Sequence, residues 1–380
     1  MIDPKTAVAV TGMAALSAFG RGTEALCDAV LEGRTAFRPV TRFDVSARRT
    51  RAAATLDEPA DLATELASVA LEACRDAGLD AALRESCPLL LAMHADPALV
   101  RSPDPMSASA GAAGAATQLA GRCGLGPAIR TYTTGCVAAS TAVIDAALMI
   151  RSGRAERVLV VAGYLVDADY FSAFDVGRAL SRTGSVRPFS RGRDGMLLGD
   201  AVAAVVLESS EAAGGRGATR HATLAGWGRA GDAYHVCQPR PDGAGMARAI
   251  GAALGRASLP AERIGYVNAH GSGTSQSDTA EAAALHRALG GHAAKVPISS
   301  TKSAHGHALE ASALLELVIT VRALQRGRLP LNAGFQEPDP HCELNLVLES
   351  ASADTEYALS VNAAFGGANT ALVLAGGPPS

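Results

Sequence analysis

Two helix-length runs in this chain of 380 residues are almost free of charge. In residues 137–150 the only charged side chain is Asp145, and in residues 308–321 the charges are Glu310 and Glu316. A helix that is apolar on every side has no face that belongs in water, so it must be enclosed by a large core. Strand-like runs lie at 7–13, 88–93, 129–134, 157–163, 201–208, 264–270, 296–301, 344–348, 357–362 and 370–374. They are near-continuous in Val, Ile, Leu and Ala rather than alternating, as in sheets covered on both faces. Helical periodicity at 23–31, 61–77, 246–257 and 278–289 falls between them, which predicts a layered α/β protein. One enclosed helix in each half predicts a central helix layer sandwiched between two sheets.

Bulk properties exclude several classes. A net charge of −3 gives no general attraction to nucleic acid or to an anionic membrane. No apolar run reaches the ~18–20 residues needed to span a bilayer. The seven cysteines, at 27, 74, 87, 123, 136, 237 and 342, form no C-x-x-C pair, which argues against zinc and redox motifs and predicts no metal. An odd cysteine count without a signal peptide suits a reducing cytosol. Of the 34 basic residues, only Lys5, Lys295 and Lys302 are lysine, so a lysine close to two histidines at 305 and 307 stands out.

Cys136 carries the strongest chemical signal. It ends a strand-like run and opens the first apolar helix, behind the small residues Thr133-Thr-Gly. The unpaired N–H groups of a helix N-terminus favour a thiolate there. His270 lies at a strand end in Asn268-Ala-His-Gly-Ser-Gly-Thr274. Asp278 and Glu281 behind it read as caps of the next helix. His307 immediately precedes the second apolar helix, where the helix dipole biases an imidazole toward its neutral form. His305 reads as a solvent-facing loop histidine. Glu316, on an apolar helix, needs a partner, and Lys302 is the cation in reach. Glu310, in the first helical turn, reads as a complement to the dipole. Gly366 and Gly367 after Phe365 permit close backbone approach to a ligand.

Together, Thr134-Gly-Cys136, Asn268-Ala-His270-Gly-Ser-Gly-Thr274, Ser300-Thr-Lys302-Ser-Ala-His-Gly-His307 and Phe365-Gly-Gly resemble the β-ketoacyl synthases (ketosynthases) of the elongating, carrier-protein-dependent kind. Arg187-Pro-Phe, Arg193-Asp-Gly, Leu198-Gly-Asp200 and Asp232-Ala-Tyr-His235 add to the resemblance, which covers nearly the whole chain. It implies a thiolase-like fold, five layers αβαβα built from two similar halves, here 1–212 with the nucleophile and 213–380 with both histidines. It also implies a dimer with its own copy or with a chain-length factor. Cys136 matches the family's nucleophile, His270 and His307 its histidine pair, and Lys302 and Glu316 its supporting pair. The N–H groups of Cys136 and Phe365 match the oxyanion hole. Phe365 matches a gate, and Phe174 resembles a second pocket-lining aromatic.

The activity implied is decarboxylative Claisen condensation. An acyl group on Cys136 joins a malonyl unit on acyl carrier protein, and phosphopantetheine belongs to that partner rather than to this chain. The segment between Met93 and Thr117 is shorter than the family pattern. The Asn362-Ala-Ala-Phe ending is closer to polyketide than to housekeeping fatty-acid synthases. A coenzyme A-dependent thiolase would carry a second cysteine near the C-terminal turn, an initiating synthase would carry Asn in place of His307, and a non-catalytic chain-length factor would lack the nucleophile.

Overall fold

The computed structural model describes residues 7–94, 111–352 and 355–377. Most of the shortened 93–117 segment lies outside the described residues. We number the ten principal strands β1 (Val8–Ser17), β2 (Leu89–Ala92), β3 (Ala128–Tyr132), β4 (Arg157–Tyr164), β5 (Ala201–Ser209), β6 (Ala222–Gly231), β7 (Ile264–Asn268), β8 (Ile298–Ser299), β9 (Tyr357–Ala364) and β10 (Ala368–Gly376). The layer helices are α1 (Leu62–Asp76), α2 (Gly111–Cys123), α3 (Ala138–Arg151), α4 (Ala168–Val176), α5 (Ala244–Ala257), α6 (Ser275–Leu289) and α7 (Ser312–Arg326).

The strands follow the order β1-β5-β4-β2-β3 in the first half and β6-β10-β9-β7-β8 in the second. The two orders are the same, and so are the directions. In each half the first two pairings are antiparallel and the last two parallel. The halves join where β1 meets β6 through Val8↔Leu224, Ala9↔Thr223 and Val10↔Ala222.

Each sheet is covered on both faces, which explains the continuous apolar runs. Along β4, Val158, Val160 and Ala162 face the central core, while Leu159 and Val161 face the outer one. Along β10, Leu372 and Leu374 point inward and Ala371 and Val373 outward. The enclosed helices α3 and α7 touch each other in the central layer. Helices α1 and α2 cover the first sheet and α5 and α6 the second. The result is the expected five-layer αβαβα arrangement.

Two sequence expectations need correction. Strand β6 is not legible in Ala222-Thr-Leu-Ala-Gly-Trp-Gly-Arg-Ala-Gly231, because glycine reads as punctuation. Here Gly226 and Gly228 let α5 lie directly on the strand. A Cβ at either would stand 2.2 Å from the Ala253 oxygen or 1.9 Å from the Ala249 oxygen. Conversely, 344–348 forms no strand. It makes one isolated bridge, Ile298↔Leu346, and Leu344 and Leu346 pack against the outer core of the second half instead.

Candidate active site

Strand β3 passes into a 3-10 turn, Gly135–Val137, and then into α3, with Cys136 on the turn. Gly135 takes φ +61°, a left-handed conformation that a side chain would strain. His307 stands just before α7. Its N–H donates to the Leu197 oxygen at 2.7 Å, and its carbonyl accepts from Gly199 N–H at 3.1 Å. The Leu197-Leu-Gly199 stretch therefore holds the backbone of this histidine in place.

His270 follows β7, and a carboxylate fixes its loop. Glu281 accepts the N–H groups of His270 and Gly271, each at 2.7 Å. Asp278 accepts those of Phe189 at 2.9 Å and Gly273 at 3.1 Å. The reading of these acids as helix caps is thus corrected. Helix α6 begins at Ser275, and the side chain of its N-cap Thr274 caps no helix N–H. The loop is buried, so its N–H groups require internal acceptors, and the two carboxylates supply them.

These elements bring the three residues together. Cys136 Sγ lies 2.9 Å from His307 Nε2. The rings of His270 and His307 are 5.5 Å apart at 81°. All three line a cavity of about 500 Å³, together with Phe174 and Phe365. Those two rings stack at 5.9 Å and 24°, and Phe365 is 56% exposed. Lys302 Nζ meets Glu316 Oε1 at 2.5 Å, with both side chains enclosed. Asn362 Nδ2 donates to the other Glu316 oxygen at 2.6 Å. Burial, followed by the Lys302 charge, holds both imidazoles well below the usual histidine range, so both are neutral near pH ~7.

The cysteine differs from the expectation of a standing thiolate. Burial pushes its thiol up to about 12, the Glu310 carboxylate adds to the rise, and Lys302 opposes it. Desolvation outweighs the helix end here. Glu310 sits in the first helical turn, where the dipole reading places it. It is fully buried and pairs with His94 Nδ1 at 2.6 Å. The His94 ring lies flat on Tyr170 at 3.9 Å and 4°. Replacing Glu310 by glutamine therefore lowers the Cys136 pKa and speeds its alkylation by iodoacetamide about threefold or more near pH ~8. The comparison is made in a Cys237→Ser background, because Cys237 is exposed on the same cavity. An unchanged rate would mean that the sulfur does not feel this carboxylate.

His305 is not solvent-facing either. It is fully buried, with Nδ1 2.7 Å from the Gly306 oxygen and Nε2 3.1 Å from Thr301 Oγ1. Burial holds it down to about 3. Both of its nitrogens are engaged in structure, and it does not line the cavity. Ser312 and Asn362, which touch the site, were not singled out from the sequence. Their signal was weak: a hydroxyl one turn into an apolar helix, and an amide near a strand end.

The match to known families falls on the same segments. Residues 66–213 match the model of the β-ketoacyl synthase N-terminal domain, and residues 221–336 that of the C-terminal domain. The chain belongs to the β-ketoacyl synthase family. This synthase is 34% identical to the tetracenomycin polyketide synthase ketoacyl synthase alpha subunit of Streptomyces glaucescens, over 97% of its own length and 96% of that protein. It is 31% identical to the 3-oxoacyl-[acyl-carrier-protein] synthase 2 of Coxiella burnetii, over 97% and 98% of the two chains. Among solved structures, it superposes with a TM-score of 0.90 on a type II polyketide ketosynthase in complex with its acyl-carrier protein, at 27% identity over 98% and 99% of the chains. The ishigamide ketosynthase/chain length factor gives 0.87 at 28% identity, with the same coverage. The fold of the synthase is thiolase-like. No helix among its described residues is long and apolar enough to cross a membrane.

Proposed function

We propose that this synthase condenses an acyl group held on Cys136 with a malonyl unit on acyl carrier protein, in type II polyketide or specialised fatty-acid synthesis. One observation carries the reading: a sulfur and two neutral imidazoles share one cavity, with His307 in contact with the sulfur. The Cys136 sulfur attacks the incoming carrier thioester, and its proton ends on the departing pantetheine sulfur. The N–H groups of Cys136 and Phe365 receive the oxyanion. His270 and His307 then donate hydrogen bonds to the malonyl thioester oxygen, which supports the enolate as carbon dioxide leaves. The enolate carbon attacks the Cys136 thioester. The products are β-ketoacyl carrier protein, carbon dioxide and, with one proton taken up, the free thiol. Loss of carbon dioxide supplies the carbanion, so no strong base is needed and uncharged rings suffice.

The cavity mouth suits a carrier protein. Phe365 and Arg178 line the cavity and are exposed, and Val176 and Val236 are exposed next to the lining residues Gly177 and Cys237. An exposed apolar surface with an arginine beside it fits an acidic carrier. We propose that the carrier's phosphopantetheine enters here between Phe174 and Phe365, that the chain comprises two fused halves, 1–212 and 213–380, and that it works in the cytoplasm. It pairs with its own copy or with a chain-length factor. The chain-length-factor role for this chain itself is disfavoured by the intact cysteine and histidines. A thiolase role is disfavoured because no cysteine accompanies the Phe365-Gly-Gly turn. Incubation with acyl and malonyl carrier proteins, read by mass spectrometry, yields a β-ketoacyl carrier protein two carbons longer. If a range of acyl chains gives no such product, with or without a partner subunit, the proposal is wrong.

A further inference from the structure

His307 is asked to act as a hydrogen-bond donor through Nε2, yet a neutral imidazole carries one proton on either of two nitrogens. The group that decides between them is usually the partner of the other nitrogen. For His307 that partner is Ser312, in the first turn of α7. Ser312 Oγ lies 2.8 Å from His307 Nδ1 and 2.9 Å from the Ala308 N–H. Ser312 is fully buried. Among the described residues its hydroxyl has no further hydrogen-bond partner.

A proton count then leaves one arrangement. The Ala308 N–H is a donor only, so it occupies a lone pair of Oγ. The hydroxyl proton needs an acceptor, and Nδ1 is the one in reach. If Nδ1 carried the ring proton, two donors would point at Oγ and the hydroxyl proton would be buried without a partner, which is unfavourable. We infer that Ser312 fixes His307 as the Nε2–H tautomer, and so acts as a positioning residue that makes this ring a donor to the Cys136 sulfur and to the malonyl thioester oxygen. His270 has no such device: its Nδ1 is buried without a partner among the described residues. Tautomer control therefore acts on the ring that touches the sulfur.

The inference rests on the condensing function proposed above, but its test separates the two. In wild-type protein carrying nitrogen-15 histidine, the resonance of His307, assigned by its loss in His307→Ala, shows Nε2 protonated and Nδ1 unprotonated. In Ser312→Ala the ring loses this preference and shows both forms. Decarboxylation of malonyl carrier protein falls about tenfold, a part of what full removal of a donor costs, while the KM for the carrier stays constant. Ser312→Thr keeps the hydroxyl and restores both the spectrum and most of the rate. An Nδ1–H tautomer in the wild type overturns the inference. So does an unaltered spectrum and rate in Ser312→Ala. Either result leaves the condensing function standing as long as the wild type makes β-ketoacyl product, whereas absence of product from the wild type counts against the function itself.

Discussion

Replacing His307 with alanine lowers decarboxylation of malonyl carrier protein by roughly 100- to 1000-fold, the usual loss when a positioned oxyanion donor is removed. The ring makes two contacts that alanine cannot: Nε2 to the Cys136 sulfur at 2.9 Å and Nδ1 to Ser312 at 2.8 Å. Because burial and Lys302 keep the imidazole neutral, its contribution is directional donation and not a full positive charge. Asparagine at this position still donates an N–H and retains more of the rate than alanine does. Release of labelled carbon dioxide from malonyl carrier protein measures the loss directly. Wild-type release from the alanine variant would remove His307 from the mechanism.

Lys302→Met destabilises the protein by about 3–5 kcal/mol, read as a shift in the denaturant midpoint. The change leaves Glu316 enclosed among apolar residues of α7, with only Asn362 as a donor to its carboxylate. The loss depends on pH, and its sign follows from the carboxyl. Burial already raises the Glu316 pKa in the native protein, and removing the lysine raises it further. An acid whose folded pKa exceeds its unfolded value binds more protons when folded, so it loses stability as pH rises between the two values. The Lys302→Met variant is therefore closest to wild type in mild acid and falls behind as pH rises. Lys302→Met with Glu316→Gln regains most of the stability, because no uncompensated charge remains. A pH-independent loss, or none, would contradict the pairing. The same substitution lets the pKa of both imidazoles rise, because the Lys302 charge is one of the causes that lower them.

Much of this site was legible in the sequence because its chemistry sits at element boundaries. A Gly-Cys pair between a strand and an apolar helix marks Cys136, and the start of a second such helix marks His307. The Lys302–Glu316 pair was legible because a carboxylate on an enclosed helix must find a cation, and lysine is scarce in this chain. What stayed hidden depends on contacts between distant segments. Glu281 looked like a cap because its spacing from Asp278 fits one, while its bonds to the His270 loop follow from the burial of that loop. Glu310 was legible as a complement to the helix dipole, but nothing local shows that His94 stands beside it. Strand β6 was masked by the two glycines that let α5 approach it. The thiolate expectation came from the helix end alone, whereas burial around the sulfur pushes its pKa up.

The most direct measurement is the site of acylation. The Cys237→Ser protein is incubated with acyl carrier protein loaded with a short acyl chain, then digested and mapped by mass. The account predicts one acyl adduct, on the peptide that contains Cys136, and none after Cys136→Ala. An adduct on another residue, or none from carriers loaded with a range of chain lengths, would contradict the assignment of Cys136 as the nucleophile.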